Sequence, residues 1–326
     1  MTSGPAARWA EALRAAVRGK VQTEVALAGY CTYRIGGPAT VFHPADAEDL
    51  AGGLRAAAEA GRPVFLLGLG SNVLLPDTGL EGLVVRLGKG LDRIEGDGPR
   101  WRLGAGAPAP LVARRTAQAG WAGLHMMVGV PGSVGGGVYM NAGCHGGDWA
   151  SVVRRVLVLD RAGNDSWLAA AEIPFAYRRS GLEGAIVVET EVELTPGSPA
   201  ALQNDVTRLF AWRQRGTPFN QPCCGSVFKN PHWPGDPPGP GLRTAGQLIE
   251  ACGLKGAREG AIEVSPMHAN YFVNTGGGLA VQVRRLMGTV ASTVRARFGI
   301  ALDPEVRAVD ELGRPIADPG LESEDR

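Results

Sequence analysis

The chain is poor in the residues that mark several large classes of protein. It has five cysteines in 326 residues (Cys31, Cys144, Cys223, Cys224 and Cys252), an odd number with no CxxC spacing. That excludes a disulfide framework and a cysteine-based zinc site, so no metal is expected. The adjacent pair Cys223-Cys224 leaves a strained redox disulfide open, against the plainer reading of two small residues in a tight segment. Charge of neither sign dominates: 33 Lys and Arg against 32 Asp and Glu give a net charge of +1, which is no footprint for nucleic acid. Only four of the basic residues are lysines (Lys20, Lys89, Lys229 and Lys255), so a lysine inside a motif is informative. No apolar run approaches the ~18 residues of a membrane-spanning helix. Residues 1–20 lack the unbroken apolar core of a signal peptide. These absences lead us to expect a cytoplasmic protein that neither inserts in a membrane nor binds nucleic acid.

One absence is local. No Asp or Glu occurs from Gly98 to Gly147, a stretch that at the chain's average density would hold about five. Glycine is the excess: 48 residues, about twice the usual ~7%, gathered in clusters. The longest runs from Gly129 to Gly137, with Pro131-Gly132-Ser133-Val134-Gly135-Gly136 at its centre, and leads into Asn141-Ala142-Gly143. Exposed glycine amides with no carboxylate nearby suit a pyrophosphate; buried glycine-rich turns would also exclude carboxylates. A second cluster, Gly68-Leu69-Gly70-Ser71-Asn72, ends an apolar strand at 64–67, the place where α/β-type folds bind ligands. Gly104-Ala105-Gly106-Ala107-Pro108-Ala109 mimics a dinucleotide fingerprint, but the acidic residue needed ~20 positions later is missing.

The 44% hydrophobic and 20% charged content is that of a globular chain, and its length implies two or three domains of ~100–200 residues. Trp9, Leu13, Ala16 and Val17 define one face of an N-terminal helix. Asp46 caps a helix reaching residue 60. Strands are expected at 40–43, 64–67, 83–87 and 101–103, with a Pro-initiated helix at 110–120. A hairpin (152–160 with 167–168) and a half-buried strand at 185–194 follow. Pro196-Gly197-Ser198-Pro199 reads as a linker. Beyond it, helices at 200–215, 244–252 and 279–298, strands at 262–264 and 270–273, and a Pro/Gly loop at 232–241 suggest an α+β domain.

Three segments there carry chemistry. In Gly225-Ser226-Val227-Phe228-Lys229-Asn230-Pro231, strand alternation puts Ser226, Phe228 and Asn230 on one face and Val227 and Lys229 on the other. Ser226 lacks the G-x-S-x-G setting of a hydrolase nucleophile, which leaves proton donation or ligand contact. His268 to Asn274 alternates, with His268 in a structural role as the plainer alternative. Glu305-Val306-Arg307 places Glu305 and Arg307 on one face of a short strand.

In chain order these segments resemble the UDP-N-acetylenolpyruvoylglucosamine reductases, the flavin enzymes that complete UDP-N-acetylmuramate synthesis for peptidoglycan. The resemblance rests on Tyr33-Arg34-Ile35-Gly36-Gly37, on Gly68 to Asn72, on Val130 to Gly136 with Met140 to Gly143, and on Tyr177-Arg178-x-Ser180. It continues through Gly225 to Pro231, Ala245-Gly246-Gln247-Leu248-Ile249-Glu250, His268-Ala269-Asn270, Phe298-Gly299-Ile300 and Glu305-Val306-Arg307. It implies an α+β protein: a vanillyl-alcohol-oxidase-type FAD-binding domain in two lobes at 31–197, then an α+β substrate domain at 198–313. Residues 1–30 would be a helical preface and 314–326 a tail. The resemblance places Arg178, Ser226 and Glu305 at catalytic positions. Non-covalent FAD would be held by Arg34, Ile35, Gly36, Gly68, Gly70, Ser71, Asn72, Pro131, Gly132, Ser133, Gly135, Gly136, Asn141 and Ala142. The substrate, UDP-N-acetylenolpyruvoylglucosamine, would meet Tyr177, Arg213, Lys229, Asn230, Gln247, His268, Asn270 and Arg307. NADPH would be the co-substrate, and the protein a monomer or weak homo-oligomer. The 79-residue interval from Ser226 to Glu305 resembles the shorter subgroup, which lacks an extra tyrosine-bearing substrate loop. A flavin-dependent sugar or alcohol oxidase on the same fold, and a non-catalytic nucleotide-binding module, are the alternatives.

Overall fold

The computed structural model describes residues 5–233 and 241–317. Most of the loop expected at 232–241, and the tail from residue 318 onward, lie outside the described residues. The chain divides into two compact units that interleave in sequence. The first comprises Met1–Val25, Ala39–Leu69 and Glu81–Arg213; the second comprises Ala26–Pro38, Gly70–Leu80 and Gln214–Arg326.

Two sheets build the first unit. One has four strands in the order Lys20–Ala26, Pro38–His43, Leu83–Arg86, Val64–Leu67. The last three pair in parallel, Val41 opposite Val84 and Phe65 opposite the same residue. Leu83, Val84 and Val85 are all buried, as expected of a parallel strand covered on both faces. Helix Ala47–Glu59 presents Leu50, Leu54 and Ala57 to this core, and Asp46 caps it by accepting from the Asp49 amide, the role its sequence position implies. Trp9 and Leu13 of helix Pro5–Ala16 join the same core, but Ala16 is exposed. The second sheet is antiparallel, in the order Asp165–Ala169, Val153–Leu159, Ile186–Glu193, Arg100–Gly104, Ile94–Asp97.

Two sequence expectations change here. The residues of the expected linker are tied down: Thr195–Pro196 pairs with Trp121–Ala122, the Gly197 amide donates to Gly120 O, and helix Pro199–Gly216 starts at once. The glycines of the apparent dinucleotide fingerprint serve packing. A Cβ on Gly104 would lie 2.3 Å from Leu91 O, and one on Gly106 2.6 Å from Gly88 O.

The second unit is built on short elements. A three-stranded antiparallel sheet runs Arg258–Glu259, Ile262–Val264, Phe272–Asn274, beside helices Ala245–Ala251 and Ala280–Phe298. Strand Val73–Leu74 pairs in parallel with Arg307–Ala308. Among the described residues, no helix is long and apolar enough to cross a membrane.

Asp49, 5% exposed, locks the start of the first unit. Its carboxylate accepts from the amides of Arg18 (2.6 Å), Gly19 (2.9 Å) and Ala45 (2.8 Å). Unpaired buried N–H groups are costly, so Asp49→Ala should lower unfolding free energy by about 2–4 kcal/mol. Chemical denaturation checks this; a loss below about 0.5 kcal/mol would show that water replaces the carboxylate.

Candidate functional site

In the first unit, strand Val64–Leu67 delivers Gly68 against Ser133: a Cβ on Gly68 would stand 2.7 Å from the Ser133 hydroxyl. Buried Ser133 caps helix Val134–Tyr139, its Oγ accepting from the Gly136 amide at 3.3 Å. Gly135 and Gly136, adjacent in sequence, have different jobs. Gly135 is buried, and a Cβ there would meet Ala105 Cβ at 2.8 Å; Gly136 is exposed, with only Ser133 Oγ near, at 3.5 Å. Among the described residues, nothing accepts from the amides of Gly68, Leu69, Gly132 or Ser133. The segment thus combines open amides with an absence of carboxylates from residue 98 to 147, a setting that favours an anion.

Asn141 stands at φ 41°, is 3% exposed, and uses its whole side chain. It donates to Asp148 Oδ2 (3.1 Å) and Ala176 O (3.0 Å) and accepts from the Ala150 amide (3.0 Å). Next to it, the Ala142 amide donates to Gly137 O, and Ala142 O accepts from the Trp149 amide. Asn141 therefore fastens the Ala176–Arg179 turn to the hairpin of Gly143–Cys144 and Gly147–Asp148. Arg178 sits in that turn at φ 58° and donates from Nη2 to Gly143 O at 3.0 Å. Its guanidinium carbon lies 5.0 Å from the ring centre of Tyr177, itself 57% exposed. Buried Ser180 donates to Tyr139 O at 2.7 Å, tying the far side of the turn. The Arg213 Nε donates to Gly129 O at 3.1 Å. At the hairpin tip, His145 meets Trp212 edge-on at 5.0 Å; burial, with Arg213 and Arg208 nearby, lowers its pKa and favours the neutral imidazole.

The second unit assembles the other residues. Arg34 (φ 58°) follows buried Tyr33, and Ile35, 2% exposed, accepts from the Cys31 thiol through its carbonyl at 3.1 Å. Gly36 packs between Leu27 and Leu75, where a Cβ would reach both Cβ atoms at 3.0 Å. Gly70 (φ 66°) lies so close to Tyr30 O and Cys31 Cα, 2.4 and 2.6 Å from a would-be Cβ, that no side chain fits. Its carbonyl accepts from the Thr32 amide. After Ser71, Asn72 bridges to the C-terminal strand: its Nδ2 donates to Glu305 O at 3.1 Å, and its carbonyl accepts from the Arg307 amide at 3.2 Å.

Ser226 follows Gly225, which has φ 75°. The segment is not a strand, and the expected alternation fails: Val227 and Phe228 are both buried, while Ser226 and Lys229 are half-buried. The backbone is held instead by a single antiparallel bridge, Phe228 opposite Pro304, and by Asn270. The Val227 amide donates to Asn270 O (2.8 Å), Val227 O accepts from the Glu305 amide (2.7 Å), and the Lys229 amide donates to Asp303 O (2.8 Å). Ser226 and Glu305 are thereby brought onto adjoining backbone. The Ser226 hydroxyl makes no hydrogen bond, and the Lys229 ammonium no ion pair, with any described residue.

Three residues expected to touch substrate also make side-chain bonds within the protein. Asn270, 3% exposed, donates to Phe228 O (2.8 Å) and accepts from the Phe228 amide (3.0 Å), so both polar atoms of its side chain have a partner within the protein. Gln247 closes a capping box, its Oε1 accepting from the amides of Arg243 and Thr244. Asn230 Oδ1 accepts from the Ala245 amide at 3.1 Å. His268 accepts at Nδ1 from the Asn270 amide and packs 4.9 Å from Tyr271, the structural role that was its alternative. Residues 269–274 are all buried, so the alternation expected there is absent too.

Sequence reasoning missed Asn274 and Asp77. Buried Asn274 donates to Tyr33 O (3.0 Å), and Asp77 Oδ1 accepts from the Ala280 amide (2.8 Å) at the start of helix Ala280–Phe298. No local signal marks either, because the partners lie more than 200 residues away. All five cysteines are free. Burial pushes the Cys224 thiol well up and the Cys31 thiol up, which suits neither to nucleophilic work. Among the described residues, no cluster of His, Cys, Asp and Glu could hold a metal ion.

The family profile for the FAD binding domain matches residues 38–166. That for the C-terminal domain of UDP-N-acetylenolpyruvoylglucosamine reductase matches residues 217–309. The protein of that name from Rubrobacter xylanophilus is 43% identical over 286 residues, 86% of this chain and 93% of its own. The Methylococcus capsulatus protein is 43% identical over 288 residues, 87% and 91% of the two chains. Among solved structures, the Thermus caldophilus reductase aligns with a TM-score of 0.75 at 31% identity, across 89% of this chain and 99% of its own. The 6-hydroxy-D-nicotine oxidase of Arthrobacter nicotinovorans shares the fold alone, with a TM-score of 0.59 at 15% identity over 87% of each chain.

One orphan marks the second unit. The Tyr33 hydroxyl is buried with no hydrogen-bond partner among the described residues, and burial holds the phenol neutral by pushing its pKa well up. Removing an unsatisfied hydroxyl relieves a penalty, so Tyr33→Phe should raise unfolding free energy by up to about 1 kcal/mol. Destabilisation by more than that, read by thermal or chemical denaturation, would mean the hydroxyl has a partner in solution.

Proposed function

The chain belongs to the UDP-N-acetylenolpyruvoylglucosamine reductase family, and on that premise we propose how its residues carry out an NADPH-driven reduction. The product is UDP-N-acetylmuramate, a precursor of peptidoglycan. Family membership makes the protein an oxidoreductase, against the reading of a non-catalytic nucleotide-binding module. An oxidase has only the 15%-identity likeness behind it, which concerns fold.

The residues fit FAD. The open amides of Gly68, Leu69, Gly132 and Ser133 and the carboxylate-free stretch suit the diphosphate of a dinucleotide. In our reading the segments 68–72 and 131–136 hold it, with the backbone of Arg34 to Gly36. FAD held there would supply the hydride-transfer chemistry, with NADPH as reductant and the vinyl carbon of the enolpyruvyl group as acceptor.

The protein's share is to manage the charge that this transfer creates. Negative charge builds on the carbon bearing the ether oxygen and spreads into the substrate carboxylate. Arg178 supplies a guanidinium held in place by Gly143 O and the Tyr177 ring; a preorganised donor of this kind contributes ~3–4 kcal/mol. Ser226 delivers the proton that completes the lactyl ether, and its hydroxyl is committed to no described residue. Lys229, without an ion pair among the described residues, stabilises the alkoxide that Ser226 becomes. Glu305 serves in its protonated form or as a proton relay, because an ionised carboxylate would repel the enolate. The observation that carries this reading is the lock of Val227 O on the Glu305 amide, which fixes Ser226 and Glu305 on adjoining backbone.

Two outcomes test the reading. Gly136→Asp should yield a folded protein that retains no FAD, because it adds charge to an exposed face of the amide loop while disturbing no packing. Gly135→Asp should instead fail to fold, by collision with Ala105. A folded Gly136→Asp protein with a full flavin spectrum would move the diphosphate elsewhere. For Ser226→Ala, stopped-flow should show flavin reduction by NADPH near the wild-type rate. Reoxidation by the enolpyruvyl sugar should slow by ~10²–10⁴-fold, the loss expected for a missing general acid. Equal losses in both half-reactions would refute Ser226 as the proton donor.

A further inference from the structure

Ser226 lies in a stretch with no regular secondary structure, so its placement depends on what holds the neighbouring backbone. On its N-terminal side, Gly225 gives little support: it stands at φ 75°, and a Cβ there would meet nothing within 4 Å. On its C-terminal side, Phe228 forms an antiparallel bridge with Pro304 along one edge, and along the other edge a side chain does what a second neighbouring strand would do. Asn270 donates from Nδ2 to Phe228 O (2.8 Å) and accepts at Oδ1 from the Phe228 amide (3.0 Å), while its own carbonyl accepts from the Val227 amide (2.8 Å). A residue in an antiparallel ladder exchanges the same two bonds with its partner. Phe228 is 2% exposed and Asn270 3% exposed. Water therefore cannot replace the clamp, and loss of either bond leaves a buried backbone group unpaired. Asn270 is itself anchored independently of this segment, its amide donating to His268 Nδ1 at 3.2 Å.

We propose that Asn270 is a positioning residue that sets the reach of Ser226 by clamping Phe228, and that it makes no contact with substrate. The inference rests on the reading of Ser226 as proton donor. Proton transfer tolerates little misplacement, and a shift of ~1 Å costs ~10²-fold in rate. Loosening the clamp should therefore slow the step that uses the Ser226 proton and spare flavin reduction.

The test compares Asn270→Ala, the isosteric Asn270→Asp, Ser226→Ala and the double variant Ser226→Ala/Asn270→Ala, all as FAD-loaded proteins. The two half-reactions are followed separately with NADPH and with UDP-N-acetylenolpyruvoylglucosamine. Asn270→Ala should slow reoxidation ~10²-fold with flavin reduction within ~3-fold of wild type. Asn270→Asp keeps the acceptor for the Phe228 amide and loses the ionised-state donor to Phe228 O, so it should show a smaller loss in the same half-reaction. In the Ser226→Ala background, Asn270→Ala should add less than ~3-fold, because a residue that acts through Ser226 has nothing left to position. If Asn270→Ala does not fold, Asn270→Asp decides alone. A selective defect in Ser226→Ala, with Asn270 variants that are silent, additive or equally damaging to both half-reactions, overturns the positioning role. Absence of a selective defect in Ser226→Ala overturns the proton-donor reading itself.

Discussion

Buried irregular backbone must have its N–H and C=O groups paired, and in the second unit that requirement organises the residues assigned to chemistry. Sheet ladders satisfy it automatically; loops must find side chains or distant main chain. Three asparagines meet the need here. The Asn270 side chain pairs both groups of Phe228, the Asn72 side chain donates to Glu305 O while its main-chain carbonyl accepts from the Arg307 amide, and the Asn274 side chain donates to Tyr33 O while accepting from Gly276 and Gly278. Each carries one acceptor and one donor on a short, stiff stem, which is what a lone peptide unit needs. A carboxylate could only accept, and a hydroxyl reaches one group less firmly.

The first unit solves the same problem differently. Asn141 ties the Arg178 turn to its hairpin, but much of the remaining closeness comes from missing side chains. Gly68 lets the chain touch the Ser133 hydroxyl, and Gly135 lets a helix press on Ala105. Beside these contacts, the amides of Gly68, Leu69, Gly132 and Ser133 have no acceptor among the described residues. On our reading of the diphosphate site, close packing and anion affinity share one cause: glycine lets the backbone approach a neighbour while neighbouring amides stay open. The missing carboxylates from residue 98 to 147 complete it, since a single acidic residue would compete for the same amides.

Much of this was legible in the sequence, and the losses follow a rule. Elements with a period or a cap were readable: Asp46 carries the signal for helix Ala47–Glu59, and helices Ala109–Gln118 and Ala245–Ala251 fall close to their expected ranges, although the Pro108 start and the Thr244–Gln247 capping box are seen only in the structure. Readings that assumed period two without a ladder failed. Val227 and Phe228 are both buried because bonds from residues 270, 303 and 305 set the direction of each peptide, and linear alternation cannot express that. The division into units was hidden for a related reason, since residues 26–38 and 70–80 group with the C-terminal part of the chain. The internal bonds of Asn270 and Gln247 were not legible, because a motif records which residue is present, not which neighbour already uses its polar atoms.

The loss of alternation at Ser226 has a chemical benefit. In a regular strand, a side chain and the one two residues on share a face, so Ser226 would lie beside Phe228 and away from Lys229. With Val227 and Phe228 both turned into the core, the half-buried positions left along the segment are Ser226 and Lys229. A weak acid and a cation are thereby released together from one short stretch, and both remain uncommitted to described residues. A strand would have needed a second element to supply the cation. The irregular backbone carries both, with the Pro304 bridge on one edge of Phe228 and the Asn270 side chain bonded on the other.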